Sequence, residues 1–348
     1  MSKLTPKERE TILLEGGTPD RMPIWQLNGI VGSQTFGYEW KDVRFDAKLA
    51  VDITRRFADI SGTDTLGHTC IEANAMFMDL PGIDVKLVDN NYGNMMSHYY
   101  NEAEDVDKKE LYDPSDPKKA PWLWKGVMNK SKLLTEIEEN RLIHQFSWGV
   151  MTTAGFLRNV EALLMDMVLE PELAEKIMDR AAELVNGIMT TGLEYGCDIA
   201  YLPDPTSSGS LISGETYENF PGPHMKRMVK NYMNRYKAPA YLHVCGETAP
   251  VAKALRDVNP ALFSFDYMND IRELRGLMGD DVILAGNLNP MDVIWQGTPE
   301  SVIAASKKVI EDSDGKKFIL ATGCETPRDT PTENLQAMLT AVETYARY

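Results

Sequence analysis

His243 and Cys245 stand two residues apart at the end of the apolar stretch Ala238-Pro239-Ala240-Tyr241-Leu242-His243-Val244-Cys245-Gly246. Side chains on a strand alternate between faces, so the imidazole and the thiol point the same way. Together they supply two of the three protein ligands that a catalytic zinc takes. The pair alone is a weak signal. In a chain with five His and four Cys among 348 residues, a buried His beside a buried free Cys explains it as well. A third soft ligand of the same kind is Cys324, which closes the apolar run Leu320-Ala321-Thr322-Gly323-Cys324. His, Cys and Cys leave a zinc ion one open coordination position, the arrangement of a catalytic site rather than a structural one.

For residues so far apart in sequence to meet, the fold must gather the ends of several strands. Eight strand candidates lie near residues 23, 64, 146, 200, 242, 264, 284 and 320, and in the second half each is followed by a helical pattern. The stripe Leu173, Ile177, Ala181, Leu184 and Ile188, opened by Pro171, is one such helix. Apolar strands alternating with helices indicate an α/β protein with a covered parallel sheet, and eight units indicate a (β/α)8 (TIM) barrel. We expect one barrel domain over residues 1–348, with an extended N-terminal region. No G-x-G-x-x-G follows the first strand and no G-x-x-x-x-G-K-[ST] occurs, so a doubly wound nucleotide-binding sheet lacks its usual signatures. Residues 73–140 are the least regular. They read as an insertion over the C-terminal face whose aromatic-rich loops (Phe77, Tyr92, Tyr99, Tyr100, Trp122, Trp124) form a lid or pocket wall, or pack over the sheet ends.

In such a barrel the chemistry sits at the C-terminal ends of the strands. Those ends read, in order, Gln26/Asn28, His68/Cys70/Glu72, Trp148, Asp204, His243/Cys245, Asp266, Asn287 and Cys324. Glu72 is a candidate fourth ligand or substrate contact. Asp204 and Asp266 are candidates to orient the metal-bound His through its second nitrogen or to move a proton. Asn287, in Gly286-Asn287-Leu288-Asn289-Pro290, is a candidate catalytic residue or simply the cap of a following turn.

The formal net charge is −16, with no basic patch, which argues against nucleic acid as a partner. No run of about 18 apolar residues is present and the N-terminus has no apolar signal segment, so no membrane span is expected and the chain reads as cytoplasmic. The four widely separated cysteines form no disulfide framework, and reduced thiols suit metal ligation. A homodimer is left open.

At these residues the chain resembles the uroporphyrinogen decarboxylase superfamily, and within it the zinc-dependent methyltransferases that work with corrinoid proteins. The resemblance runs through Pro19-Asp20-Arg21-Met22-Pro23-Ile24-Trp25, Gly196-Cys197-Asp198 with Asp204, and His243-Val244-Cys245-Gly246. It continues through Ala285-Gly286-Asn287-Leu288-Asn289-Pro290 and Gly323-Cys324-Glu325-Thr326-Pro327. It implies a (β/α)8 barrel, zinc on His243, Cys245 and Cys324, and a cobalamin carried by a separate corrinoid protein. The decarboxylases have two arginines after the Pro-x-Trp segment, whereas here the stretch is Gln26-Leu27-Asn28-Gly29-Ile30, which speaks against porphyrinogen decarboxylation. Two methyltransferase roles remain. In one, methyl passes from a small methylated substrate to Co(I) of the partner; in the other, from methyl-Co(III) to a thiol such as coenzyme M. The aromatic and Met-rich segments 76–100 and 120–156 favour the first, with an aryl methyl ether as donor. A non-enzymatic metal-binding scaffold is the remaining alternative.

Overall fold

The computed structural model describes residues 4–66 and 70–348. Seven strands form one parallel sheet: β1 (Ile24–Trp25), β4 (His144–Phe146), β5 (Ile199–Pro203), β6 (Ala240–Val244), β7 (Leu262–Phe265), β8 (Ile283–Leu288) and β9 (Phe318–Thr322). Their spatial order is β1-β9-β8-β7-β6-β5-β4, and a separate antiparallel hairpin pairs β2 (Val85–Val88) with β3 (Asn91–Met95). The two edges of the parallel sheet curl towards each other. Trp25 on β1 and His144 on β4 lie at opposite ends of the strand order, yet their rings are 6.1 Å apart. Trp25 also meets Tyr201 at 5.2 Å, so an aromatic cluster fills the interior. The helices that follow β5 to β9 cover the outside, as a parallel sheet requires.

The gap between the two edges is where the sequence suggested a strand near residue 64. Thr63 to Leu66 take no strand conformation there. Side chains replace the ladder. Asp64 is fully buried and accepts Ile24 N at 2.9 Å, while its own N–H reaches Ile24 O at 2.8 Å. The guanidinium groups of Arg9 and Arg21 close on the same carboxylate at 2.6 and 2.7 Å. An irregular segment thus completes the β/α barrel in place of the expected eighth strand. His68, read as part of that strand's end, lies outside the described residues.

Helix Pro6–Leu14 opens with a Thr5/Glu8 capping box and carries Glu10 into the interior. Tyr241 donates its hydroxyl to Glu10 Oε1 at 2.7 Å. Because Tyr241 lies two residues below His243 on β6, this helix plugs the end opposite the strand tips. Pro residues set several helix breaks. Pro171 starts the 24-residue helix Pro171–Glu194, and Pro221 separates helix Gly214–Asn219 from helix Pro221–Asn231. Helix Asn129–Ile137 ends where Glu138 turns extended.

Candidate metal centre at the strand tips

Strand register explains how the site assembles. In the parallel pairing of β6 with β7, His243 stands opposite Ser264. Both side chains face the interior, and His243 Nδ1 meets Ser264 Oγ at 3.0 Å. That contact leaves Nε2 turned towards Cys245 Sγ, 3.2 Å away. Cys324, just past β9, brings its sulfur to 3.3 Å from Cys245 Sγ. The ligand atoms of His243, Cys245 and Cys324 all lie within 4.8 Å of one another, and this is the one such group of three or more among the described residues. The sequence-level grouping of these three residues is therefore met in space.

The two thiols act as a unit. Hydrogen bonding from Cys245, opposed by burial and helped by His243, pulls the Cys324 thiol pKa down. The same hydrogen bond, with burial, raises Cys245, and the nearby Asp266 and Glu325 charges add to the rise. Two sulfurs this close and this buried disfavour carrying negative charge on both at once. A divalent ion relieves that repulsion and takes both as thiolates, so the donor set fits zinc chemically.

The other candidates fall into distinct places. Asp266 does not meet the His243 ring, whose partner is Ser264. Its carboxylate instead accepts Gly246 N at 2.8 Å and Tyr267 N at 2.7 Å, fixing the turn that follows Cys245. Burial raises its pKa, with the Gly246 bond acting against the rise. Asn287 donates to Asn269 O at 2.9 Å, and Asn269 donates to Gly246 O at 2.9 Å. Asp266, Asn269 and Asn287 thus brace one turn beside the donors.

Asp204 is placed otherwise than as a partner of the His ring. It accepts Thr152 N at 2.7 Å and Ser207 Oγ at 2.8 Å, capping helix Val150–Arg158 from a neighbouring strand end. Gly149 permits this, since a Cβ there would collide with the carboxylate. Burial raises the pKa of Asp204. Glu72 is also fully buried and stands outside the donor group. It accepts Gly93 N from the hairpin at 3.1 Å and pairs with Arg44 at 3.6 Å. Its pKa is raised by burial.

Ser264 and Asn269 carry no role in the sequence reading, and Tyr92 figures there only as one of the aromatic residues of a lid or pocket wall, with no link to the strand tips. Ser264 had a usable signal, because it occupies the inward position of β7 level with His243. Tyr92 had none: its hydroxyl donates to Glu325 Oε1 at 2.8 Å across 233 residues.

The uroporphyrinogen decarboxylase (URO-D) family profile matches residues 5–345. A methylcobamide:CoM methyltransferase of Methanosarcina mazei is 28% identical over 358 residues, covering 99% of each chain. A methylated-thiol–coenzyme M methyltransferase of the same organism is 25% identical, covering 98% of this chain and 90% of its own. Among solved structures, a methyltransferase from Methanosarcina mazei superposes with a TM-score of 0.82 at 20% identity over 99% of both chains, which supports the barrel fold. The chain belongs to the uroporphyrinogen decarboxylase family.

Proposed function

We propose that this chain is a zinc-dependent methyltransferase that takes methyl from the methyl-cobamide of a partner corrinoid protein and gives it to a small thiol of the coenzyme M type. The carrying observation is the His243–Cys245–Cys324 donor group in a chain that aligns end to end with a methylcobamide:CoM methyltransferase. Zinc bound there would lower the pKa of a thiol in its open position, making a nucleophile near neutral pH.

The chain's own residues prepare that position. Ser264 fixes the His243 ring so that Nε2 serves as donor. Asp266 and Asn269 hold the turn at Gly246 and with it the Cys245 sulfur. Burial of His243 and the partial burial of both cysteines keep water from diluting the charge of the site.

The aryl methyl ether reading drawn from the aromatic segments gives way to the thiol. Those aromatic side chains mostly fill the core. Phe77 packs on Phe156 at 5.0 Å, Tyr99 on Tyr100 at 5.1 Å, and Trp124 on Tyr195 at 5.5 Å. Phe77, Tyr99, Tyr100 and Trp124 are all buried. A thiol acceptor needs less of a ring-sized cavity than a methoxyphenol does. Coordination at the imidazole and sulfur donors, rather than aromatic stacking, then carries recognition.

The test mixes the zinc-loaded chain with methylcobalamin and a panel of thiols, and separately with Co(I) cobalamin and methoxyphenols. The expected result is loss of the methyl-Co(III) spectrum with coenzyme M or a close analogue, with its methyl thioether formed. Methylation of Co(I) by a methoxyphenol, with no thiol-dependent reaction, would reverse the assignment.

A further inference from the structure

Glu325 directly follows Cys324. A carboxylate can ligate zinc as readily as a water or thiol can. One placed a single residue from a thiolate ligand therefore competes for the position that an incoming thiol needs. Glu325 nevertheless stands outside the donor group, which His243, Cys245 and Cys324 form without it. Its charge is still felt at the Cys245 sulfur, after the larger effects of the Cys324 contact and burial.

Two distant parts of the chain help to hold the carboxylate aside. Tyr92, on β3 of the hairpin, donates its hydroxyl to Glu325 Oε1 at 2.8 Å. Gly29, just past β1, supplies the recess, since a Cβ there would run into both Glu325 Oε1 and Tyr92 Oη. The hairpin is itself gripped from behind. Gly93 N reaches Glu72 Oε1 at 3.1 Å, Asn74 Nδ2 reaches Gly93 O at 2.8 Å, and the Trp40 ring meets the Tyr92 ring edge-on at 5.9 Å. Arg44 adds bonds to the Val88 and Asp89 carbonyls at the hairpin turn. Tyr92 is thus a fixed donor, and the side chain it fixes is the one beside the metal loop.

We propose that Tyr92 is a positioning residue. By drawing the Glu325 carboxylate into the recess at Gly29, it keeps the fourth coordination position of a metal on His243, Cys245 and Cys324 open for the acceptor thiol. The inference rests on the reading of this site as a thiol-binding metal centre. It gives the hairpin a chemical task distinct from covering the barrel, and makes Glu325 a controlled competitor of the substrate.

The experiment loads the full chain with Co(II) and records its ligand-field spectrum before and after adding 2-mercaptoethanesulfonate. The variants are Tyr92→Phe, Glu325→Gln and the two combined, with circular dichroism to verify the fold. Tyr92→Phe is expected to shift the resting spectrum and to weaken thiol uptake about tenfold, the scale of one lost hydrogen bond to a charged group. Combining it with Glu325→Gln is expected to return both readouts to those of the native chain. A Tyr92→Phe protein with an unchanged resting spectrum would overturn the proposal. So would a shift that persists in the double variant, because a plain structural tether would not depend on Glu325. If the resting spectra follow the expected pattern while no variant takes up thiol, Tyr92 keeps its role and the thiol-acceptor reading falls. If every variant takes up thiol equally, the reading stands and the role of Tyr92 falls.

Discussion

The two halves of this barrel reach order by different means. From β4 onwards, each strand is short, largely buried and paired in register with the next, and its inward positions follow the two-residue alternation. His243 and Ser264 meet because β6 and β7 pair at that level. Before β4 the chain relies on side chains. Asp64, Arg9 and Arg21 stand in for a missing strand, and Arg44, Glu72 and Lys130 tie a hairpin and loops to the barrel wall. Lys130 is fully buried, bonds the Arg44 and Cys70 carbonyls, and is pushed down to about 7 by burial. The regular half supplies the donors and the turn that braces them, and the irregular half adds Tyr92 against Glu325 beside them.

That contrast can be broken most sharply at the donors. His243→Ala or Cys324→Ala should leave the chain folded but strip it of stoichiometric zinc, with methyl transfer falling to background. Metal analysis of the purified variants checks this. One retained zinc in both would remove the site from the regular half altogether.

In the irregular half the largest expected effect is on stability. Asp64→Ala leaves the Arg9 guanidinium, which is 4% exposed, without its closest anion. Breaking a buried pair from one side costs about 3–5 kcal/mol, read from the denaturant midpoint. A loss well under 1 kcal/mol would show that the network is dispensable and that the segment holds itself.

Glu10 sharpens the comparison through pH. Burial pushes its carboxyl up to about 8, against the hydrogen bond from Tyr241 that favours the ionised form. The folded state therefore keeps a proton that the unfolded chain releases near its ordinary carboxyl pKa. Its contribution is fully present below that ordinary value and is lost as pH rises through about 8. Within the window the slope is at most about 1.4 kcal/mol per pH unit for one proton. Glu10→Gln should flatten this part of the stability–pH curve, and an identical curve would show that Glu10 does not hold the proton.

The smallest effect is expected at Ser264. Ser264→Ala removes the group that orients the His243 ring and should weaken zinc binding by roughly 10–100-fold while leaving stability nearly unchanged. Competition with a chromogenic chelator measures it. Equal affinity would mean that strand pairing alone fixes the ring.

What was legible in the sequence follows the same division. Strand periodicity located β4 to β9, and the inward alternation placed His243 and Cys245 on one face. The common level of strand tips then added Cys324. The segment near residue 64 reads as a strand because Thr63, Thr65 and Leu66 follow the helix end at Ser61-Gly62, whereas its link to β1 runs through the Asp64 carboxylate. Asp204 was read as a chemical group because it ends a strand, but its acceptors are used by the helix N-terminus at Met151 and Thr152. The aromatic residues of 76–100 and 120–156 suggested a pocket, and composition alone could not show that they pack on one another. Tyr92 and Glu325 lie 233 residues apart with no pattern linking them. Contacts between irregular segments leave no periodic trace.

The central claim is that His243, Cys245 and Cys324 hold a metal whose open position takes the acceptor thiol. X-ray absorption at the zinc edge of the loaded chain, with and without coenzyme M, tests it most directly. The account predicts one nitrogen and two sulfur ligands at rest, and a third sulfur when the thiol is added. A sulfur count that does not change on adding the thiol, or a resting site without two sulfurs, would contradict it.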